Sequence, residues 1–270
     1  MIGACLKWVD RRPEVDPLTG AVATDPRTSG ASEADAAALE WGLRLGEAWG
    51  DEVVAVTAGP AAAEALLREA LAAGAARAVR VDLPAGAPSE AVAAGLAGAL
   101  AGAQVVVCGD WSLDRGSGAV PAYLAAHLGA AQALGLVDLA PGEPGSLRAE
   151  RRLDGGRRER LAVAAPMVLS VEGRTRLRRA RLAGVLAARD AEVALHPGPP
   201  VRERPPARTA PYRPRARVLP PPGGRSPRER VLVLTGALAD RTPPEQAVLD
   251  PGAAADRILD QLRAWGYLDR

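Results

Sequence analysis

The chain has 270 residues, 48% of them hydrophobic, with two cysteines and no phenylalanine. That length holds one large domain or one and a half, and the apolar fraction excludes wholesale disorder. No apolar run reaches the roughly 18 residues of a membrane span, so none is expected.

The formal charge of +2 hides an asymmetry: residues 1–140 carry 9 basic and 17 acidic side chains, residues 141–270 carry 25 and 15. A basic second half needs an acidic partner surface, an anionic ligand or solvent. Lys7 is the only lysine, and Ala, Arg, Gly and Pro abound. This skew reads as coding bias, so the arginine count alone says little about partners. The first residues lack a signal peptide's basic n-region and apolar core. Two separated cysteines make no disulfide framework. The expected location is a reduced cytoplasm.

Ile2 to Leu6 and Trp8 read as a first strand. Residues 10–32 form a long loop with a small hairpin at Thr19-Gly20. Ser32 followed by Asp35 marks a helix start, with an N-cap hydroxyl and an acidic first turn. Ala36, Leu39 and Leu43 give that helix its apolar face and Glu40, Arg44 and Glu47 its polar one; it should end near Gly50. Glu52 to Thr57 is a second strand and Ala58-Gly59-Pro60 the turn after it. Ala61 to Ala73 is a helix with Leu66, Leu67, Ala70 and Leu71 inward and Glu64 and Arg68 spaced i,i+4 outside. Val79 to Val81 is a third strand, Ser89 to Ala101 a third helix. Val105 to Cys108 suits a strand buried on both faces. A Gly/Ser loop follows it, and then a helix carrying Val120, Tyr123, Leu124, His127 and Leu128 on one stripe, stopped by Gly129. Leu134 to Val137 is a fifth strand.

Strands alternating with helices imply right-handed βαβ units and a parallel sheet, an α/β doubly wound fold. Ligands of such sheets bind beyond the carboxyl ends of the strands. Here those ends are Lys7-Trp8, Ala58-Gly59-Pro60 and Gly109 to Gly118. The strand, Gly/Ser loop and helix start of 104–129 form an anion or nucleotide cradle.

From residue 145 the pattern changes. Leu147 to Arg152 and Arg158 to Ala164 form a hairpin around Leu153-Asp154-Gly155-Gly156, and Pro166 to Val171 is another strand. Residues 174–189 are basic, with apolar Leu177, Leu182, Val185 and Leu186. This stretch suits a solvated face, a nucleic-acid patch or a docking arm, and its lack of interleaved aromatics weakens the second. Residues 196–228 read as a Pro/Arg/Gly-rich linker, Arg230 to Thr235 as a strand and Ala253 to Trp265 as an amphipathic helix.

No P-loop, no Gly-x-Gly-x-x-Gly after the first strand and no Cys/His cluster of metal spacing occurs. Two histidines and two distant cysteines argue against a Cys/His or Ser/His nucleophile. His127 reads as a packing residue. Cys5 and Cys108 read as small buried apolar residues, with packing against a ligand ring as the alternative. Asp114 suits either a ribose hydroxyl or a turn.

Cys5-Leu6-Lys7-Trp8-Val9, Asp16 to Asp25, Ala38 to Leu45, Val54 to Pro60, Leu67 to Ala78, and Leu153-Asp154-Gly155-Gly156 ahead of Ala165-Pro166-Met167-Val168 together resemble the β subunit of electron transfer flavoproteins. The likeness covers about residues 1–190. It implies an adenine nucleotide α-hydrolase-like sheet (residues 1–140), a hairpin and recognition-loop extension (141–190) and a partner-binding arm (191–270). It also implies pairing with an FAD-binding α subunit, an electron-carrier role without bond-breaking catalysis, and AMP or a second flavin in the β-side pocket. By position, nucleotide contacts would fall on Cys5, Ser32 to Asp35, Ala58, and Gly109, Asp110, Trp111, Ser112, Leu113, Asp114, Gly116, Ser117, Gly118 and Val120, beside the Gly59 tip. Leu182 looks like the anchor that docks partner dehydrogenases. Two departures stand out. Ser32-Glu33 replaces the family's Asn-Pro, and the loop Asp114 to Pro121 keeps one Asp and lacks the usual Thr. Such a divergent copy is similar to the β-like proteins of the mycofactocin redox system, whose dehydrogenases would be the donors. The competing expectation is a stand-alone adenine-nucleotide-binding regulator of the universal-stress kind, which lacks a long basic tail.

Overall fold

The computed structural model describes residues 1–201, 221–237 and 246–268. Most of the expected 196–228 linker lies outside them. The chain divides into two units, Met1–Tyr212 and Arg213–Arg270.

The first unit is built on a nine-stranded sheet. Its strands are β1 (Ile2–Cys5), β2 (Val53–Gly59), β3 (Arg77–Asp82), β4 (Val105–Gly109), β5 (Ala131–Pro141), β6 (Ser146–Arg152), β7 (Arg158–Ala164), β8 (Met167–Val171) and β9 (Ala194–Pro197). Their spatial order is β7-β6-β5-β8-β4-β1-β2-β3-β9. From β5 to β9 every neighbouring pair is parallel, and β6 and β7 add an antiparallel edge. This is the expected α/β doubly wound arrangement.

Strand order is set by burial. β1 and β4 read Ile-Gly-Ala-Cys and Val-Val-Val-Cys, apolar on both faces, and they take the centre. One face is covered by α1 (Glu33–Trp49) and α2 (Glu64–Ala73), the other by α3 (Ser89–Ala99) and α4 (Val120–Leu128). Alternation decides which side chain meets which layer. Ile2, Ala4, Val105 and Val107 pack toward α1, while Cys5, Val54, Val106 and Cys108 pack toward α3 and α4. Ser32 caps α1 in a full capping box, its hydroxyl accepting from the Asp35 N–H while the Asp35 carboxylate reaches back.

Several elements differ from expectation. β5 is longer than Leu134 to Val137. Its first residues pair with β8 and its last with β6, and the shift falls at Gly135, whose N–H donates to Ser170 Oγ at 2.9 Å. β9 was not foreseen; it is a four-residue edge strand beside the unpartnered side of β3. Arg230 to Thr235, expected as a strand, instead belong to helix α6 (Pro227–Leu234) and its C-cap Thr235: Pro227 sits in the first turn and Ser226 with Glu229 makes a capping box, so local start signals override the Val-Leu-Val run. His127 is exposed, as is Tyr123 at 45%, because α4 packs through Pro121, Leu124 and Ala125 instead.

Glu64 and Arg68 also find partners other than each other. Glu64 bonds Arg80 at 3.0 Å, and Arg68 donates instead to the carbonyls of Ala188, Arg189 and Ala191 at 2.9–3.2 Å. Those carbonyls end α5 (Leu182–Arg189), so Arg68 caps its C-terminus. Glu40, placed on the outer face of α1, is only 4% exposed. Arg178 covers it, donating from its backbone N–H and from Nε to Glu40 Oε2, each at 3.0 Å, and its guanidinium also meets Glu47. The basic stretch is thus partly an internal strap across α1.

The second unit contains α6 and α7 (Pro251–Ala264), the latter capped by Asp250. Ile258 and Trp265 of this region are 60% and 65% exposed.

Candidate functional site

In chain order β1, β2 and β3 build to one side, after which β4 returns to the other side of β1. The crevice at such a reversal, beyond the carboxyl ends of the strands, is where open α/β sheets hold ligands. A cavity of about 280 Å³ lies there. Its floor and walls come from Cys5 to Asp10 at the end of β1, Ala58-Gly59-Pro60 at the end of β2, and, at and after the end of β4, Cys108, Gly109, Trp111, Ser112, Asp114, Arg115 and Ser117 to Pro121. Pro84 to Ala87 and Ser89 close it from the start of α3.

Backbone proximity shapes this crevice. A Cβ on Gly109 would sit 3.0 Å from Ala34 Cβ and 3.1 Å from the Asp35 N, so glycine lets α1 begin against the tip of β4. Gly118 has φ +59°, and a Cβ there would sit 2.5 Å from the Asp110 carbonyl oxygen. The loop can turn into α4 only with glycine at that point. Helices α3 and α4 both start without a side-chain cap hydrogen bond. Ser89 and Val120, their first residues, line the cavity. Two helix dipoles therefore present positive ends to one space.

The charged groups divide by role. Lys7 Nζ grips both oxygens of Asp114 at 2.6 and 2.7 Å and lies 3.4 Å from Ser112 Oγ. Burial pushes the Asp114 carboxyl up, but the bonds from Lys7 and Ser112 outweigh it and hold the group below the usual range. The Arg115 guanidinium bonds the Gly86 carbonyl and ties the β4 loop to the α3 side. Asp35 is buried at the cavity wall; loss of hydration raises its pKa to about 6 against the bonds from Ser32 and the Lys7 backbone. Asp10 accepts from Arg12 N at 2.9 Å, Asp25 N at 2.7 Å and Thr28 Oγ1 at 2.5 Å, so it organises the 10–30 loop around the rim. The Thr28 bond, followed by the two backbone bonds, lowers its pKa.

Of the residues singled out in the sequence, Cys5, Asp35, Ala58, Gly59, Gly109, Trp111, Ser112, Asp114, Ser117, Gly118 and Val120 line this cavity. Ser32, Asp110 and Leu113 do not; with Trp111 they line a second hollow beside Arg11, Arg152, Glu172 and Arg174, on the α1 side of the sheet. Gly116 lines neither, and its N–H closes the turn onto the Ser112 carbonyl at 2.9 Å. Asp110 Oδ1 is buried without a hydrogen-bond partner. Burial, reinforced by Glu172, raises the Asp110 pKa. Lys7 stands out in the sequence as the only lysine and at a strand end, but its pairing with Asp114 is not legible there, because the two are 107 residues apart. Arg80 was missed outright. Only 7% exposed, it donates to the Gly59 carbonyl at 3.0 Å and to Asp82 at 2.7 Å, and so fixes the β2 tip.

Leu182 stands apart from both hollows. Helix α5 turns its small residues inward: a Cβ on Gly184 would meet the Ala72 carbonyl oxygen of α2 at 2.6 Å, and Ala188 is buried. Leu182, Val185 and Leu186 face outward, 75%, 49% and 59% exposed. A short helix with its large apolar side chains in water and its small ones in contact is the reverse of ordinary amphipathic packing.

Residues 19–199 match the model of the electron transfer flavoprotein domain. No curated protein matches the chain.

Proposed function

Because this chain belongs to the electron transfer flavoprotein family, we propose that it is the β-type subunit of such a carrier. It pairs with an FAD-binding α-like subunit and holds an adenine mononucleotide, AMP, in the switch-point cavity. The observation that carries this reading is the convergence of three strand tips and two uncapped helix starts on one cavity. At about 280 Å³ it lies just below the roughly 300–1,000 Å³ of ligand pockets, the scale of a small ligand such as a mononucleotide. In this reading the flavin is held mainly by the partner subunit, and it supplies the redox chemistry.

The chain's own residues bind and orient. The starts of α3 and α4 and the Ser117-Gly118 turn offer backbone N–H groups to phosphate. Asp114, positioned by Lys7, is placed to accept from a ribose hydroxyl. Val92, Leu96 and Val120 give the base an apolar wall. The exposed face of α5, with Leu182 at its head, docks the electron-donating dehydrogenase, in this reading one linked to flavin or mycofactocin chemistry. The second unit grips the α-like subunit.

Co-expression with an α-like subunit tests this. The expected product is a yellow heterodimer that on denaturation releases one FAD and one AMP per pair, identified by mass. A colourless monomer that ignores the α-like subunit would overturn the subunit assignment, and a yellow pair releasing FAD alone would overturn the AMP site.

A further inference from the structure

The cavity holds one pair of groups that nucleotide binding leaves unused, the thiols of Cys5 and Cys108. They are register partners on adjacent parallel strands, β1 and β4. Neighbouring strands lie about 4.8 Å apart, inside the roughly 4.4–6.8 Å Cα window that a disulfide spans. Both side chains point to the same face, toward α3 and α4. Both are free, buried thiols, and burial together with the neighbouring Cys5 pushes the Cys108 thiol up. They keep 7% and 4% of their surface, and both line the cavity.

We propose that Cys5 and Cys108 form a ligand-shielded dithiol switch: with the cavity empty, hydrogen peroxide converts the pair to an inter-strand disulfide, and that bond lowers the affinity of the cavity for its nucleotide. The disulfide half stands on the geometry alone; the affinity half rests on the AMP reading above. The chemistry runs in two balanced steps. Cys5 sulfur attacks one peroxide oxygen, the O–O bond breaks, and the thiol proton leaves with the departing oxygen as water, giving a sulfenic acid. Cys108 sulfur then attacks the oxidised sulfur, the S–S bond forms, the S–O bond breaks and a second water leaves. Two sulfurs have together lost two electrons and the peroxide has gained them. The linked sulfurs sit about 2.05 Å apart, closer than van der Waals contact. Because the floor is close-packed, that contraction shifts the strand tips and is felt in the cavity. A nucleotide seated on the floor keeps peroxide from reaching it.

The test uses the full-length reduced chain and hydrogen peroxide, with alkylation and peptide mapping without reductant. A cross-linked Cys5–Cys108 peptide is expected, lighter by two hydrogens. AMP at ten times its Kd should slow its formation about tenfold, since only about one cavity in eleven is then empty. Oxidised protein should bind AMP at least about tenfold more weakly, with dithiothreitol restoring affinity. Cys5→Ser should give no cross-link, and its AMP affinity should ignore peroxide. Phenylarsine oxide, which bridges two neighbouring thiols, checks adjacency in the unsubstituted chain: one equivalent should protect both cysteines from alkylation. Thiols that stay alkylatable after peroxide, that oxidise singly, or that link without changing AMP affinity would overturn the switch. A reduced chain that does not bind AMP would overturn the nucleotide reading, and the affinity half of the switch with it. A chain that binds AMP and will not cross-link overturns the switch alone.

Discussion

Asp35 shows how one side chain carries two opposed demands. Its carboxylate closes the capping box of α1 and favours the helix N-terminus, yet it lies buried at the cavity wall beside Cys108, with the Lys7 backbone as an additional donor. Burial prevails and raises its pKa to about 6. A carboxyl whose folded pKa exceeds its unfolded value stabilises the fold most below the unfolded pKa and loses that contribution as pH rises through the folded one. The window is therefore pH 4 to 6, and the loss is on the order of 3 kcal/mol. Asp35→Asn keeps the hydrogen-bonding shape and cannot ionise. Denaturant midpoints of the two proteins should agree near pH 4 and diverge by pH 7, where the Asn variant is the more stable. Parallel curves would show that Asp35 does not titrate in this range. Lys7 and Asp114 behave differently, being 38% and 39% exposed. Their ion pair is screened by water and contributes about 0–1 kcal/mol to stability. Lys7→Met should thus leave melting almost unchanged while weakening AMP binding about tenfold, because Asp114 loses the group that orients it. Calorimetric titration with AMP would measure this, and equal affinity for both proteins would remove Lys7 from the site.

At the scale of elements, the contrast between α1 and α5 explains what could be read from residues and what could not. The start of α1 was legible because a capping box is local: Ser32 and Asp35 are three residues apart. The central strands were legible from continuous apolar runs, and the strand tips followed from strand order. Glu40 was misjudged because its burial depends on Arg178, 138 residues away. Arg68 and Glu64 were mispaired for the same reason, each meeting a partner from another element. Ser32, Asp110 and Leu113 line a different hollow from most of the residues grouped with them, because spacing along the chain does not say on which side of the sheet each residue emerges. The Glu40 strap makes a prediction. Burial alone would raise the Glu40 pKa, but bonds from Arg178 and Arg44 hold it below the usual range. Arg178→Ala leaves that buried carboxylate with Arg44 alone and should cost about 2–3 kcal/mol, read as a lower denaturant midpoint. It should also expose residues 174–181 to trypsin. Helix α5 predicts a split between packing and docking. Gly184→Val pushes a side chain into the Ala72 carbonyl and should cost about 1–3 kcal/mol. Joint replacement of Leu182, Val185 and Leu186 by Ala should shift stability by no more than about 0.5 kcal/mol per site, yet abolish electron uptake from the donor dehydrogenase. A large loss of stability in the triple variant would mean that this face packs on its own chain.

Across the whole molecule, charge and core are distributed unequally. The surplus of arginine after residue 140 is partly consumed inside the first unit. Arg151 pairs with Glu159, Arg158 with Glu150, Arg152 and Arg174 with Glu172, and Arg178 with Glu40 and Glu47. The first two pairs join the strands of the hairpin, Glu172 joins Arg152 of the hairpin to Arg174 of the segment after β8, and the Arg178 pairs fasten the strap to α1. The two core clusters consist of first-unit residues only. In the second unit, α6 and α7 contribute no buried residue, and Val231, Leu234, Ile258 and Trp265 stand exposed at 57–67%. Helices of 8 and 14 residues that bury nothing of their own gain little from propensity alone. Their apolar faces become stabilising only against another surface. A chain ending at Tyr212 should therefore melt with the full-length protein's first-unit transition, within a few degrees, and keep its AMP affinity. It should also fail to co-purify with the α-like subunit. The discriminating measurement is gel filtration of the co-expressed pair followed by calorimetry of the free truncated chain. If the truncated chain still forms the yellow heterodimer, the grip lies on the first unit. If it loses its first-unit transition, the second unit is part of the fold it was argued to leave untouched.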